Sequence, residues 1–166
     1  MAGSNTTNML PVYGEKGIPK PDNDPGARSD AAAWYDSYRQ EFWLFGGQRD
    51  GMLCKLFSFV FNNQLNKNLG LLLNDLWRYR LNDSTWTWIS GSNTTDQQGI
   101  YGEKGNGSAE NVPGARYGAV GWFDSLREEF WLFSGKGYSK AGQGEFFYNN
   151  IIKTSQLLNS FNRFVK

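Results

Sequence analysis

Histidine is absent from all 166 residues, and cysteine occurs once, at Cys54. Without imidazole there is no Ser-His-Asp triad, no Cys-His pair, no His general base and no His-ligated zinc or copper. A single thiol forms neither an internal disulfide nor a cysteine zinc site, so the fold is expected to rest on packing. An excess of either charge is missing too. Seventeen basic residues against sixteen acidic ones leave a formal net charge of +1, with no local run of Lys and Arg to gather phosphate backbones. Nucleic acid is therefore not an expected partner. The longest apolar run, Leu56 to Phe61, is interrupted by Ser58 and falls far short of the roughly 20 residues of a membrane helix. The opening MAGSNTTNML has neither the basic start nor the apolar core of a secretory signal. The expectation is a cytoplasmic chain with no membrane partner, no metal, no cofactor and no enzymatic activity.

What the sequence does have is aromatic bulk, with seven Trp and twelve Phe in an aromatic fraction of 16%. Large rings suit a pleated surface, which points to an all-β fold. It also has a repeat. Shifting the chain by 88 positions lays Gly3 to Gly47 over Gly91 to Gly135 without a gap, and 26 of the 45 pairs are identical, including GSNTT, YGEKG, PGAR and EFWLF. Trp34/Trp122 and Asp36-Ser37/Asp124-Ser125 lie between those blocks. The unit is a duplicated structural module.

One period reads as four short antiparallel strands. Asp30 to Tyr35 is a strand of small residues closed by the polar turn at Asp36-Ser37. EFWLF follows, with Phe42 and Leu44 on one side and Trp43 and Phe45 on the other, so both faces are expected to be buried. Gly46 and Gly47 end it, as a bend or a close backbone approach requires. LNDLWRYRL (73–81) puts Trp77, Tyr79 and Leu81 on one face, Asn82 to Ser84 turns the chain, and TWTWIS (85–90) puts Trp86 and Trp88 on a single face.

Four strands per unit, a double Gly after the second and Trp in the fourth together resemble the kelch repeat of β-propellers, of the long-unit kind called galactose-oxidase-like or attractin/muskelin-like. The residues carrying the likeness are Phe42 to Gly47, Asn74 to Trp77 with Tyr79, and Trp86 or Trp88, with Arg28 and Arg116 before the first strands and Trp131 and Gly135 in the second copy. The resemblance implies propeller blades divided as follows: an inter-blade loop over 1–27, a blade over 28–90 with an inserted loop at 49–72, a second inter-blade loop over 91–115, the first half of another blade over 116–135, and an atypical tail over 136–166. A propeller closes with about 4 to 8 blades. One and a half blades imply a fragment of a larger propeller, faces covered by other chains through self-association, or a non-functional truncated remnant.

Two stretches depart from the repeat, 52–68 and 145–166, both crowded with Phe, Asn, Lys and Ile. They read either as non-coding or frame-shifted sequence replacing the strand that should follow Gly135, or as a genuine loop and a short amphipathic C-terminal helix carrying Ile151, Ile152, Leu157, Leu158, Phe161, Phe164 and Val165.

Loops on a rigid scaffold are where binding usually resides. Both long connections of the unit should lie at one end of the blade, and their repeated side chains Tyr13, Glu15, Lys16, Tyr101, Glu103 and Lys104 are the candidate contacts for a protein partner. The competing reading is a loop packed on its own blade. Arg28 and Arg116 are read as scaffold, as are Glu41 and Glu129, because each recurs once per unit. GEKGNGS (102–108) lacks P-loop spacing and no helical pattern follows it. The expected function is a protein-interaction module. The alternatives are carbohydrate binding through aromatic rings or a galactose-oxidase-like fragment, whose copper chemistry this histidine-free chain does not itself supply.

Overall fold

The computed structural model describes residues 5–49, 71–103, 106, 108, 110–139, 142–147 and 151–153, and these are all-β. β1 (Ala32–Asp36), β2 (Glu41–Phe45), β5 (Leu76–Arg80) and β6 (Thr85–Ser90) form one antiparallel sheet in the order β1-β2-β5-β6. Between β2 and β5, β3 (Gln48–Arg49) and β4 (Leu71–Leu72) pair as a two-stranded ladder at the base of the inserted loop. The second unit repeats this plan. β8 (Val120–Asp124), β9 (Glu129–Phe133) and β12 (Ile151–Lys153) form a sheet in the order β12-β9-β8, while β7 (Arg116–Tyr117), β10 (Lys136–Ser139) and β11 (Gly142–Phe147) form another in the order β11-β10-β7. No sheet among the described residues closes on itself.

The turns explain why the strands fall where they do. Asp36 Oδ1 accepts hydrogen bonds from the Tyr38 and Arg39 amides, and its Oδ2 is 2.9 Å from Arg39 Nη1. Asp124 repeats this with the Leu126 and Arg127 amides and Arg127 Nη1, again at 2.9 Å. A short acidic side chain closing its own turn fixes the register of the strands on either side. Trp34 is thereby held opposite Trp43, and Trp122 opposite Trp131.

Gly46 at φ 63° is required by crowding as well as by conformation, since a Cβ there would stand 2.7 Å from the Arg116 carbonyl and 2.9 Å from that of Leu73. The chain thus leaves β2 through a gap that only glycine fits, with the start of the next unit against it.

Two expectations are corrected. The third strand of the second unit does arrive: Ile151, Ile152 and Lys153 pair with Phe133, Leu132 and Trp131 as Leu76, Trp77 and Arg78 pair with Phe45, Leu44 and Trp43. Phe147 and Leu72 are likewise both partners of matching residues, Lys136 and Gln48. These registers align FFYNNIIK (146–153) with LLLNDLWR (71–78), apolar for apolar, Asn for Asn and cation for cation. Ile151 and Ile152 lie in a strand and do not begin a helix, because β9 offers them an unpaired edge; 154–166 lie outside the described residues, as do 50–70 of the insert.

EFWLF is not buried on both faces in either copy. Trp43 and Phe45 are 2% exposed while Phe42 is 44% exposed; in the second copy Phe130 and Leu132 are buried and Phe133 is 37% exposed. The cause is that, among the described residues, the two sheets pack on each other through one face each. The Ala32/Trp34/Trp43/Phe45 face of the first sheet packs on the Phe130/Leu132 face of the second, with ring centroids 4.8 Å apart for Trp43–Phe130 and 5.6 Å for Trp34–Phe130. One pentapeptide therefore buries opposite faces in its two copies.

Candidate functional site

Antiparallel pairing sends both long connections, from β2 to β5 and from β6 to β7, to one end of the sheets and leaves four-residue turns at 37–40, 81–84 and 125–128 at the other. At the loop end Asp96 N donates to Leu72 O and Arg116 N to Leu73 O, which ties the second connection to the first, and Ala115 N donates to Gln97 O within the second.

The centre of this end is Asp75. Leu72 and Leu73 before it and Leu76 and Trp77 after it are all buried, and they carry the carboxylate inside with them. It is fully buried and takes four donors. Arg28 makes a bidentate pair, Nη1 to Oδ1 at 2.7 Å and Nη2 to Oδ2 at 2.9 Å, and Oδ2 also accepts from Tyr13 Oη at 2.9 Å and Trp77 Nε1 at 2.7 Å. Arg28 in addition donates to the Gly46 and Pro25 carbonyls. A buried charge is tolerated only when paired and hydrogen-bonded, and this one is both.

Tyr13 reaches Asp75 from the N-terminal connection. Its ring lies 5.2 Å from Trp77 and 4.9 Å from Trp88, centroid to centroid. Lys16 stands over Trp88 at 4.4 Å and donates to Gly91 O at 2.9 Å; burial pulls its amine below the usual lysine range. Two of the predicted contacts are thus brought together on β6, where they latch the connection to its sheet. Glu15 is left outside on the surface. In the second unit Tyr101 Oη accepts from Arg116 Nη2 at 2.8 Å and from Gly114 N at 3.2 Å, while Arg116 Nη1 donates to Ser134 O at 3.0 Å as Arg28 does to Gly46 O. Glu103 is exposed and accepts from Asn106 Nδ2, and Lys104 lies outside the described residues.

Burial foremost, then the charge and hydrogen bond of Asp75, push the Tyr13 hydroxyl well above the usual tyrosine range. The folded chain keeps this proton after the unfolded chain has released its own. The stability it confers is therefore complete below the ordinary tyrosine value of about 10 and declines as pH rises beyond it. Tyr13→Phe removes one hydrogen bond to a charged acceptor that retains Arg28 and Trp77. A loss of about 1 to 2 kcal/mol at neutral pH is expected, together with a shallower alkaline decline, both read from urea titrations at a series of pH values.

A second feature was not foreseen. The outward face of the first sheet carries Ala33, Tyr35, Phe42, Leu44, Tyr79 and Trp86 around an open groove of about 620 Å³. Tyr35 and Phe42 pack as tilted rings with centroids 4.7 Å apart, and Tyr79 and Trp86 likewise at 5.1 Å. At the opposite, short-turn end Glu41 is 3.5 Å from Arg78, and burial raises its carboxyl above the usual range against the pull of that cation. Glu41 is thus paired within its own sheet. Comparison with protein-family models and with curated proteins gives no match for the chain.

Proposed function

We propose that the chain is a protein-interaction module built of kelch-type blades, part of a larger β-propeller, whose loop-rich end presents the repeated acidic side chains Glu15 and Glu103 to a partner. The observation that carries this reading is the inter-sheet packing: two units 88 residues apart stack face to face so that EFWLF buries opposite faces, the relation expected of successive blades. The latch of Tyr13, Asp75 and Lys16 supports it, because it holds long loops rigidly on a sheet and leaves Glu15 free to make contacts. The test compares capture from cell extract by the unaltered chain and by a Glu15→Lys/Glu103→Lys variant, followed by reconstitution with the purified captured protein. The proposal expects a stoichiometric complex that the double variant loses; equal capture by both, or none by either, contradicts it.

A second reading rests on the aromatic groove, since the faces of Tyr and Trp rings stack on sugars. Titrating tryptophan fluorescence with a glycan panel decides it. A saturable change abolished by Trp86→Ala favours sugar binding, and a flat response removes it.

A further inference from the structure

The two outward sheet faces are copies of the two faces already joined inside the chain. Under the 88-residue shift, Ala33, Tyr35, Phe42 and Leu44 on the outside of the first sheet correspond to Gly121, Phe123, Phe130 and Leu132, which form the inner face of the second sheet. Conversely Val120, Trp122, Trp131 and Phe133, on the outside of the second sheet, correspond to Ala32, Trp34, Trp43 and Phe45, the inner face of the first. The outward residues are apolar and open: Trp122 is 41% and Val120 61% exposed, and Trp122 stacks flat on Trp131 at 6.0 Å. Each chain therefore carries a face and its complement on opposite sides, with the mating geometry displayed by its own internal seam.

We propose that copies of this chain associate head to tail, the Trp122/Trp131 face of one seating on the Tyr35/Phe42 face of the next. The inference rests on the blade reading and names the chain itself as the occupant of both faces. Charge agrees with it. Across the internal seam Arg39 pairs with Glu128 at the rim; the shift places Arg127 opposite Gln40 between copies, so no like charges meet there, although the ion pair gives way to a cation facing an amide. Such a contact joins two different surfaces, so it closes into a ring or continues as a filament according to the rotation it imposes. Two sheets per copy and the rotation of a propeller make rings of about two to four copies.

Two positions make the seam between copies looser than the internal one. Ser134 stands where Gly46 has its close approach to the Arg116 carbonyl. Ala33 stands where Gly121 makes room for the Trp34 ring, which a Cβ at 121 would overlap. The Ala33→Gly/Ser134→Gly variant should consequently associate more tightly than the unaltered chain.

The test is light scattering on the full chain over a concentration series, with near-ultraviolet circular dichroism to report tertiary packing. The expected result is a discrete oligomer that dissociates on dilution, at a lower concentration for the double-glycine variant. Phe42→Glu and Trp131→Glu, each alone, are expected to be folded monomers. Mixed in equal amounts they should form a dimer and stop, because each retains the face the other lacks. Association of Trp131→Glu or Phe42→Glu on its own would show like-to-like contact and overturn the proposal. A folded monomer at every concentration overturns it while leaving the blade reading in place, whereas a chain without fixed tertiary packing overturns both.

Discussion

Asp75→Ala is expected to destabilise the chain by about 3 to 5 kcal/mol, the cost of removing one partner from a buried ion pair. The side chain of Arg28 is 5% exposed and that of Asp75 is 0% exposed, so the guanidinium would be left buried without its counter-charge. The guanidinium would keep the Gly46 and Pro25 carbonyls, but Tyr13 Oη and Trp77 Nε1 would lose their acceptor together. Against a total stability of about 5 to 15 kcal/mol for a domain, the loss is large enough to unfold much of the population on mild heating. Removing the whole charge pair should cost less than the sum of its parts. In the double variant Arg28→Met/Asp75→Leu no uncompensated charge remains, and urea titration of the two single variants and the double should show strong coupling. Additive losses, or a cost for Asp75→Ala below about 1 kcal/mol, would mean that the four-donor cluster does not hold the loop end together.

Phe130→Ala should cost about 3 to 5 kcal/mol, as do other truncations of buried aromatics. Its ring is 2% exposed and touches Trp34, Trp43 and Phe123, so the cavity would open in the seam between the sheets. Phe42→Ala alters the same residue of the same motif, one unit earlier. Phe42 is 44% exposed and, among the described residues, its ring contact is with Tyr35, so the expected loss is about 1 kcal/mol or less in dilute solution. The contrast is the informative quantity, because sequence identity around the two positions rules out a difference in strand propensity.

The order of strands in a unit was legible because each is bounded by chemistry that acts locally. Asp36 and Asp124 close turns through their own side chains, and Gly46 and Gly47 take backbone angles that other residues rarely adopt. Burial was not legible in EFWLF, since an apolar strand signals the capacity to be covered on two sides and not the number of neighbours present. The strand at Ile151–Lys153 was hidden for a different reason. FFYNNIIK keeps the apolar, amide and cationic pattern of LLLNDLWR but shares only the residue at Asn149/Asn74, and the shorter insert displaces it from the 88-residue register. Tyr13 and Lys16 were recognisable as repeated side chains of a loop. Their commitment to Asp75 and Trp88 was not, because those partners lie 62 and 72 positions away and only the folded connection brings them together.

One motif buries opposite faces in its two copies. Hydroxyl-radical footprinting of the dilute monomer reads this side chain by side chain. Trp43 and Phe130 should be protected and Trp131 and Phe42 modified. The same protection pattern in both copies, with Trp43 and Trp131 alike and Phe42 and Phe130 alike, would contradict it.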